Sequence, residues 1–113
     1  MKLHIYGKID GKKAVIKTYT AETYELLWGT CEDVAGALDL DQLTTGSDTE
    51  IMKLAMNLVL HSLGTVKTLF LDIFDGLTEE ELRGATVKEM AQVIVDVVRY
   101  TLATLSLYAP KNQ

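Results

Sequence analysis

Carboxylate side chains that could bind a metal or act in catalysis are concentrated in the stretch DIFDGLTEEELRGATVKEM, at positions 72–90. Carboxylate oxygens are the ligands that calcium prefers, so this acidic stretch first suggests an EF-hand loop. Aligning Gly76 with the glycine that such a loop requires places Leu71, Ile73 and Leu82 where oxygen ligands are needed. The sequence therefore does not predict a calcium site. We expect the acids to begin helices instead, where the helix dipole favours negative charge; they are Asp72, Asp75, Glu79, Glu80 and Glu81.

Nucleophilic catalysis would need an activated side chain beside a base. Cys31 lies on the apolar stripe of a predicted helix, where a buried thiol behaves as a small hydrophobic group, and no nearby basic residue would lower its pKa. His4 and His61 lack a third ligand at zinc-binding spacing, and we expect His61 to be a core or boundary histidine. The phosphate-binding and nucleophile-elbow motifs do not occur. The sequence predicts no enzymatic function, no metal and no cofactor.

Charge is divided unevenly along the chain. Residues 1–17 carry five lysines and one aspartate, a net of +4, whereas the other 96 residues carry six basic and fifteen acidic side chains, a net of −9. Such an acidic body repels phosphate backbones, which disfavours nucleic-acid binding. One cysteine excludes an internal disulfide framework, and no apolar run is long enough to span a bilayer. The start MKLHIYGKIDGKK alternates, unlike a signal peptide, so we expect an intracellular single domain over residues 1–113.

The first element that the sequence predicts is a β-hairpin over residues 1–19. Asp10-Gly11 supplies the two positive-φ positions of a type I′ turn between alternating strands. A regular register outward from this turn pairs Ile5 with Ile16 on an apolar face and places Tyr19 on the wet face. Because a two-stranded ribbon is barely stable alone, we expect it either to pack on helices or to add to the edge of another protomer.

Apolar residues at helical spacing predict a helical body over residues 20–109, followed by a short tail at 110–113. Thr20 is the predicted N-cap of the first helix, because Glu22 and Glu25 follow it in the opening turns. A linker with a short turn around residues 39–43 follows that helix.

Three capping boxes mark the later helix starts, at Ser47, Thr78 and Thr86. We predict that the helix from Ser47 is the central, most buried one and that Gly64 kinks or stops it. The helix from Thr78 is predicted to be short, and the helix from Thr86 to be the longest and to end before Pro110. The predicted fold is α+β and mostly helical, with an N-terminal β-hairpin packed on a bundle of about four helices.

A dense apolar cluster, LFLDIF with Leu77, leads into the acidic stretch. It has too many large apolar groups for one helix face, and two interpretations are open. The cluster is core between the second and last helices, or it is a partly exposed patch that binds a partner protein. In the second interpretation the partner-binding residues are Leu69, Phe70, Ile73, Phe74, Leu77, Tyr24, Trp28, Met52 and Met56.

Three segments follow one another along the chain: SDTEIMKLAMNLVL, LFLDIFDGLTEEELRG and TVKEMAQVIVDVVRYTL. In this order they resemble the tail assembly chaperones of long-tailed phages and prophages from Gram-positive bacteria, over roughly residues 20–108. The most specific part is the run at Leu69–Leu82. It is carried by Leu71, Asp72, Ile73, Phe74, Gly76, Leu77, Thr78 and Glu81.

The resemblance implies a small, non-enzymatic protein of the host bacterial cytoplasm that is absent from the mature virion. Such chaperones bind the tape measure protein, keep it soluble and recruit tail tube protein. They are commonly made together with a frameshifted longer form, and Pro110-Lys111-Asn112 is compatible with a slippery sequence there. We also expect a homo-oligomer and no binding to nucleic acid or membrane. Two alternatives are a small acidic regulatory or inhibitor module, and an enzyme that depends on Cys31.

Overall fold

The structure is a computed structural model that describes residues 1–37 and 47–108. The predicted fold class is confirmed, because an N-terminal antiparallel hairpin precedes a mostly helical body. The predicted turn at 39–43 and the predicted stop at Pro110 lie outside the described residues. The elements are β1 (Lys2–Ile9), β2 (Lys12–Thr20), α1 (Trp28–Ala37), α2 (Asp48–His61), α3 (Leu63–Ile73), α4 (Glu79–Leu82) and α5 (Val87–Tyr108).

The hairpin turn forms as its sequence predicts. Asp10 and Gly11 have φ angles of 52° and 77°, the two positive values that a type I′ turn requires. From there the strands keep the predicted register as far as the pair between Tyr6 and Val15. Local turn chemistry therefore fixes the outer half of the hairpin.

The inner half of the hairpin departs from the predicted register. A β-bulge at Ile16 shifts the pairing, so that Ile5 lies opposite Lys17 and Leu3 opposite Tyr19. The predicted pair between Ile5 and Ile16 is wrong. Because a bulge adds one residue to one strand, every later side chain changes face. Tyr19 consequently lies in the core beside Leu3 instead of on the wet face.

The first helix begins later than predicted, and Thr20 is not its N-cap. Strand β2 continues through Thr20, which pairs with Lys2, and the Ala21 N–H donates to the Met1 carbonyl at 2.9 Å. This pairing holds the chain extended where a cap would have to turn it. Helix α1 therefore begins at Trp28, and residues 22–27 connect the hairpin to it without helical structure.

The break between α2 and α3 falls at Ser62 rather than at Gly64, and the two helices are bent by 103°. Ser47 is the N-cap of α2, because its side chain accepts the Glu50 N–H at 3.3 Å, which is one half of the predicted capping box. Gly64 lies inside the first turn of α3, so it neither kinks nor stops α2.

One core cluster joins buried side chains of α1, α2, α3, α5 and the base of the hairpin, with α2 packed against α5 and α1 against α3. The prediction that α2 is the most buried helix is wrong, because Met56 and Leu60 on its outer side are exposed. Burial of large apolar side chains is the main favourable term for such a core. The largest fully buried side chains are Phe70, Phe74, Leu3, Leu69, Ile94, Val66 and Val97.

The connection between α4 and α5 closes the outer edge of β1. The Tyr6 N–H donates to the Gly84 carbonyl at 2.7 Å, and the His4 N–H donates to the Glu89 carboxylate. Thr86 caps α5 by accepting the Glu89 N–H at 3.3 Å. The Glu89 carboxylate, however, binds the backbone and ring of His4 instead of completing the predicted capping box. This glutamate therefore ties the last helix to the hairpin.

Candidate functional site

Glu81 connects the acidic stretch at positions 72–90 to the hairpin. The capping box is complete: the Thr78 hydroxyl accepts the Glu81 N–H at 3.1 Å, and Glu81 Oε1 accepts the Thr78 N–H at 3.2 Å. The same carboxylate accepts the Tyr19 hydroxyl at 2.6 Å and pairs with Lys17 Nζ at 3.2 Å. The Tyr19 hydrogen bond, more than Lys17, lowers the pKa of Glu81 to about 2. Glu81 therefore links α4 to β2 through Tyr19 and Lys17.

Two other acids of the stretch also have structural partners. Asp72 Oδ2 accepts the Leu27 N–H at 2.9 Å, which attaches the segment before α1 to α3. Glu79 lies 3.6 Å from Lys67 Nζ and so links α4 to α3. Among residues 1–37 and 47–108, no three His, Cys, Asp or Glu side chains are grouped so as to hold a metal ion. Asp72, Glu79 and Glu81 therefore each contact a different structural partner.

Cys31 and the two histidines lie on three different elements. Cys31 is half-buried on α1, and its thiol lies 4.0 Å from the Leu26 carbonyl. His4 is on β1 with Glu89 2.8 Å from its Nδ1, whereas His61 ends α2. His61 is exposed, so the expectation of a core or boundary histidine is wrong.

The apolar shoulder at the end of α3 is core. The interpretation of this cluster as a partly exposed patch is corrected, because its large apolar side chains are buried in the single core cluster of the described residues. The rings of Phe70 and Phe74 stack with centroids 5.9 Å apart, and neither is accessible. A partner could not touch this cluster without opening the core. Its buried members are Leu69, Phe70, Ile73, Phe74 and Leu77.

The other four candidate binding residues divide into two pairs. Tyr24 and Met52 are half-buried against the core, and Tyr24 stacks on Tyr100 with ring centroids 5.5 Å apart. Trp28 is 78% exposed at the start of α1, and Met56 is exposed on α2. Only this second pair offers a substantial apolar surface to another molecule.

A groove of about 820 Å³ lies where the end of α2 and the start of α3 face α4 and the start of α5. Its lining includes the buried side chains of Val59, Leu82 and Met90. Leu60 and Leu63, which are 60% and 51% exposed, also line it on either side of the break at Ser62. The 103° bend lets both leucines face this groove instead of the core. The result is a concave apolar surface open to a ligand.

Charged side chains of both signs also line the groove. Lys67 and Glu79 form the ion pair between α3 and α4, and Glu80 and Arg83 lie nearby on and just after α4. Mixed charges beside an apolar centre are typical of protein-binding surfaces. This arrangement suits recognition of an amphipathic segment.

One feature of the sequence relates to this groove, the wide apolar surface of α2, but it led to a prediction of burial rather than exposure. Leu60 and Met56 broaden the apolar surface of α2 beyond one helical face, which predicted burial. An apolar face that is too wide is equally expected of a helix that keeps a binding surface open. Leu63 could not be assigned, because the position of the break decides which way it faces.

No family description, curated protein or solved structure matches this chain. None of the described helices alone is long and apolar enough to cross a membrane; α2 and α3 pass that test only as a bent pair, by length and composition.

Proposed function

We propose that this chain is a tail assembly chaperone of a long-tailed phage or prophage, which binds the tape measure protein and recruits tail tube subunits without catalysis. The observation that carries the proposal is the run LFLDIFDGLTEEEL, the most specific part of the resemblance. This run forms the end of α3, a turn in which Gly76 has a φ of 84°, and the capped start of α4. Positive φ favours glycine there, so the run has a defined structural role beside the groove.

The groove is the surface on which we place the client. The resemblance implies a long, helical and aggregation-prone client, whose exposed apolar faces need temporary cover. A helix of the client would lay its apolar side chains against Leu60 and Leu63, in the helix-in-groove mode. Lys67 and Arg83, with Glu79 and Glu80, would favour one register of the bound helix through charge pairing.

Co-expression with the tape measure protein encoded beside this chain tests the proposal. We expect a stable complex and a larger soluble fraction of the tape measure protein, with tail tube protein joining the complex when it is added. Light scattering of the free chain would report the expected self-association, and mass spectrometry of finished tails should not detect the chain. Absence of both the complex and the gain in solubility would sink the proposal.

A double variant, Leu60→Ser with Leu63→Ser, tests where the client binds. Removing two central apolar contacts should weaken the complex roughly tenfold or more, because a few central side chains carry most of the affinity of such interfaces. Leu27→Ser is the matched control, since Leu27 is 70% exposed and does not line the groove. Loss of binding in the control, with the double variant intact, would move the client site to the start of α1.

A further inference from the structure

The two edges of the hairpin differ in what they can bind. Tyr6 directs its N–H away from β2, because it donates to Gly84. In an antiparallel pair, the residue opposite must also direct its backbone groups outward, so the N–H and C=O of Val15 point away from β1. Lys13 has the same orientation two residues earlier. Within the described ranges, no backbone group of another element bonds to β2, so its outer edge is unpaired.

The side chains along this edge are apolar and basic. Val15 and Ile16 are exposed, although valine and isoleucine in strands are usually half-buried. Lys12 and Lys13 are also exposed, and neither forms an ion pair with any residue that the structure describes. These lysines belong to the first 17 residues, whose net charge is +4, whereas the rest of the chain has a net charge of −9.

We propose that the outer edge of β2 binds an extended, acidic segment of a partner protein by β-strand addition. The partner strand pairs with the outward backbone groups of Lys13 and Val15. Carboxylates on the partner strand meet Lys12 and Lys13, and its β-branched side chains pack against Val15 and Ile16. Backbone hydrogen bonds supply affinity in this mode, and alternate side chains supply specificity.

Charge decides between this occupant and two others. A second copy of β2 in antiparallel pairing would bring Lys12 and Lys13 of one copy close to those of the other, and like charges across a strand pair are destabilising. A nucleic acid would meet the lysines but would leave the apolar side chains and the strand-spaced backbone groups without partners. An acidic strand satisfies all three features.

Binding of a fluorescent peptide with two adjacent valines, one spacer residue and two adjacent glutamates, followed by anisotropy, tests the proposal. Adjacent side chains of a strand point to opposite faces, as Lys12 and Lys13 do, so this order offers a carboxylate to each lysine. Val15→Pro removes one outward N–H, and proline is tolerated on edge strands where that group faces solvent. We expect Val15→Pro to weaken peptide binding roughly tenfold, and Val15→Thr, which keeps the donor and the branched shape, to change it less than about twofold. Thermal unfolding followed by circular dichroism checks that both variants keep the hairpin.

A second pair of measurements separates charge from backbone. Replacing Lys12 and Lys13 together by glutamine should weaken binding of the glutamate peptide and reduce its dependence on salt. The same peptide with lysines in place of its two glutamates should not bind. Equal binding of the lysine peptide, or no binding of the glutamate peptide to the unaltered chain, would overturn the proposal.

Three further outcomes point to other occupants or separate the two surfaces. A DNA duplex that binds more tightly than the peptide, and equally well to Val15→Pro, would assign the lysines to nucleic acid. Self-association of the free chain that Val15→Pro abolishes would assign the edge to a second copy. The leucines of the groove are not part of this edge, so Leu60→Ser with Leu63→Ser should leave peptide binding unchanged. Loss of peptide binding there would contradict the placement on β2.

Discussion

The two strands of the hairpin have 8 and 9 residues and similar compositions, yet among the described residues only β1 has an edge covered by another element. Along β1, His4 and Tyr6 donate to Glu89 and Gly84, and Leu3 and Ile5 are buried beneath the strand. Along β2, the outward backbone groups have no partner among the described residues, and Ile16 is exposed. The difference arises outside the hairpin, because both acceptors lie at the junction of α4 and α5.

The difference between the two edges relates to the risk of aggregation at an unpaired strand edge. Unpaired strand edges invite uncontrolled association, so proteins commonly cover them or place charges along them. Here β1 is covered and β2 carries lysines. The covered edge contributes to the fold, and the charged edge stays available for a selected partner. Variants that act on one edge and not on the other therefore test this contrast.

The largest expected effect is on the covered side, at Ile5. Its side chain is 2% exposed, and Ile5→Ala should lower the free energy of unfolding by about 3 kcal/mol, because it removes buried methyl groups and leaves a cavity. Urea unfolding monitored by circular dichroism measures this loss. A change below about 1 kcal/mol would mean that the base of the hairpin is not packed as described.

Gly84→Ala should have the next largest effect, about 2 kcal/mol of destabilisation by urea unfolding. A Cβ at this position would lie 2.7 Å from the Tyr6 carbonyl oxygen and 2.9 Å from Ile5 Cγ2, so the connection would have to move off β1. Gly29→Ala is the matched control, since nothing lies within 4 Å of a Cβ there. If both variants lost the same stability, close approach at Gly84 would not be what closes the edge.

Glu89→Ala should cost about 1 kcal/mol, because it leaves the outward N–H of His4 without its acceptor. Hydrogen exchange of the His4 amide should accelerate in the same variant, whereas exchange of the amides in α3 should not. Unchanged protection of His4 would show that another group closes this edge.

The sequence predicted correctly those features that depend on interactions between residues close together in the chain. The type I′ turn at Asp10-Gly11 and the capping box from Thr78 to Glu81 depend on residues within four positions of one another, and both form as predicted. The bulge at Ile16 was not predictable in this way. It is favourable because it places Tyr19 in the core, where the tyrosine hydroxyl reaches Glu81, 62 residues away.

The candidate site shows the same limit. The sequence identified the shoulder around Phe70 as unusually apolar, but its composition is compatible with core or interface. The structure assigns it to the core and leaves Leu60 and Leu63 exposed at the groove. That outcome depends on the 103° bend at Ser62, which the spacing of apolar residues does not encode.

A smaller effect on stability, confined to acidic pH, is expected at Glu81, which links β2 to α4. The pKa of Glu81 is lowered from 4.5 to about 2, so the stability that its ionised form contributes is complete above about pH 4.5 and is lost as the pH falls towards 2. In Glu81→Gln this part of the acid dependence should disappear. At neutral pH the change should be modest, because glutamine still offers an acceptor to Tyr19 and Thr78. Urea unfolding at several pH values measures both; equal acid dependence in the two proteins would contradict the assignment.

The smallest expected effect is on the open edge, at Ile16. This side chain is 57% exposed and lies against Gly7, so Ile16→Ala should change the free energy of unfolding by less than about 0.5 kcal/mol. Compared with Ile5→Ala, this variant removes the same atoms from the same hairpin. A regular register would place the two isoleucines opposite each other on one apolar face and predict similar losses. A large loss at Ile16 would therefore contradict the bulge, whereas a negligible one, together with weaker binding of the acidic peptide, would assign Ile16 to recognition rather than to folding.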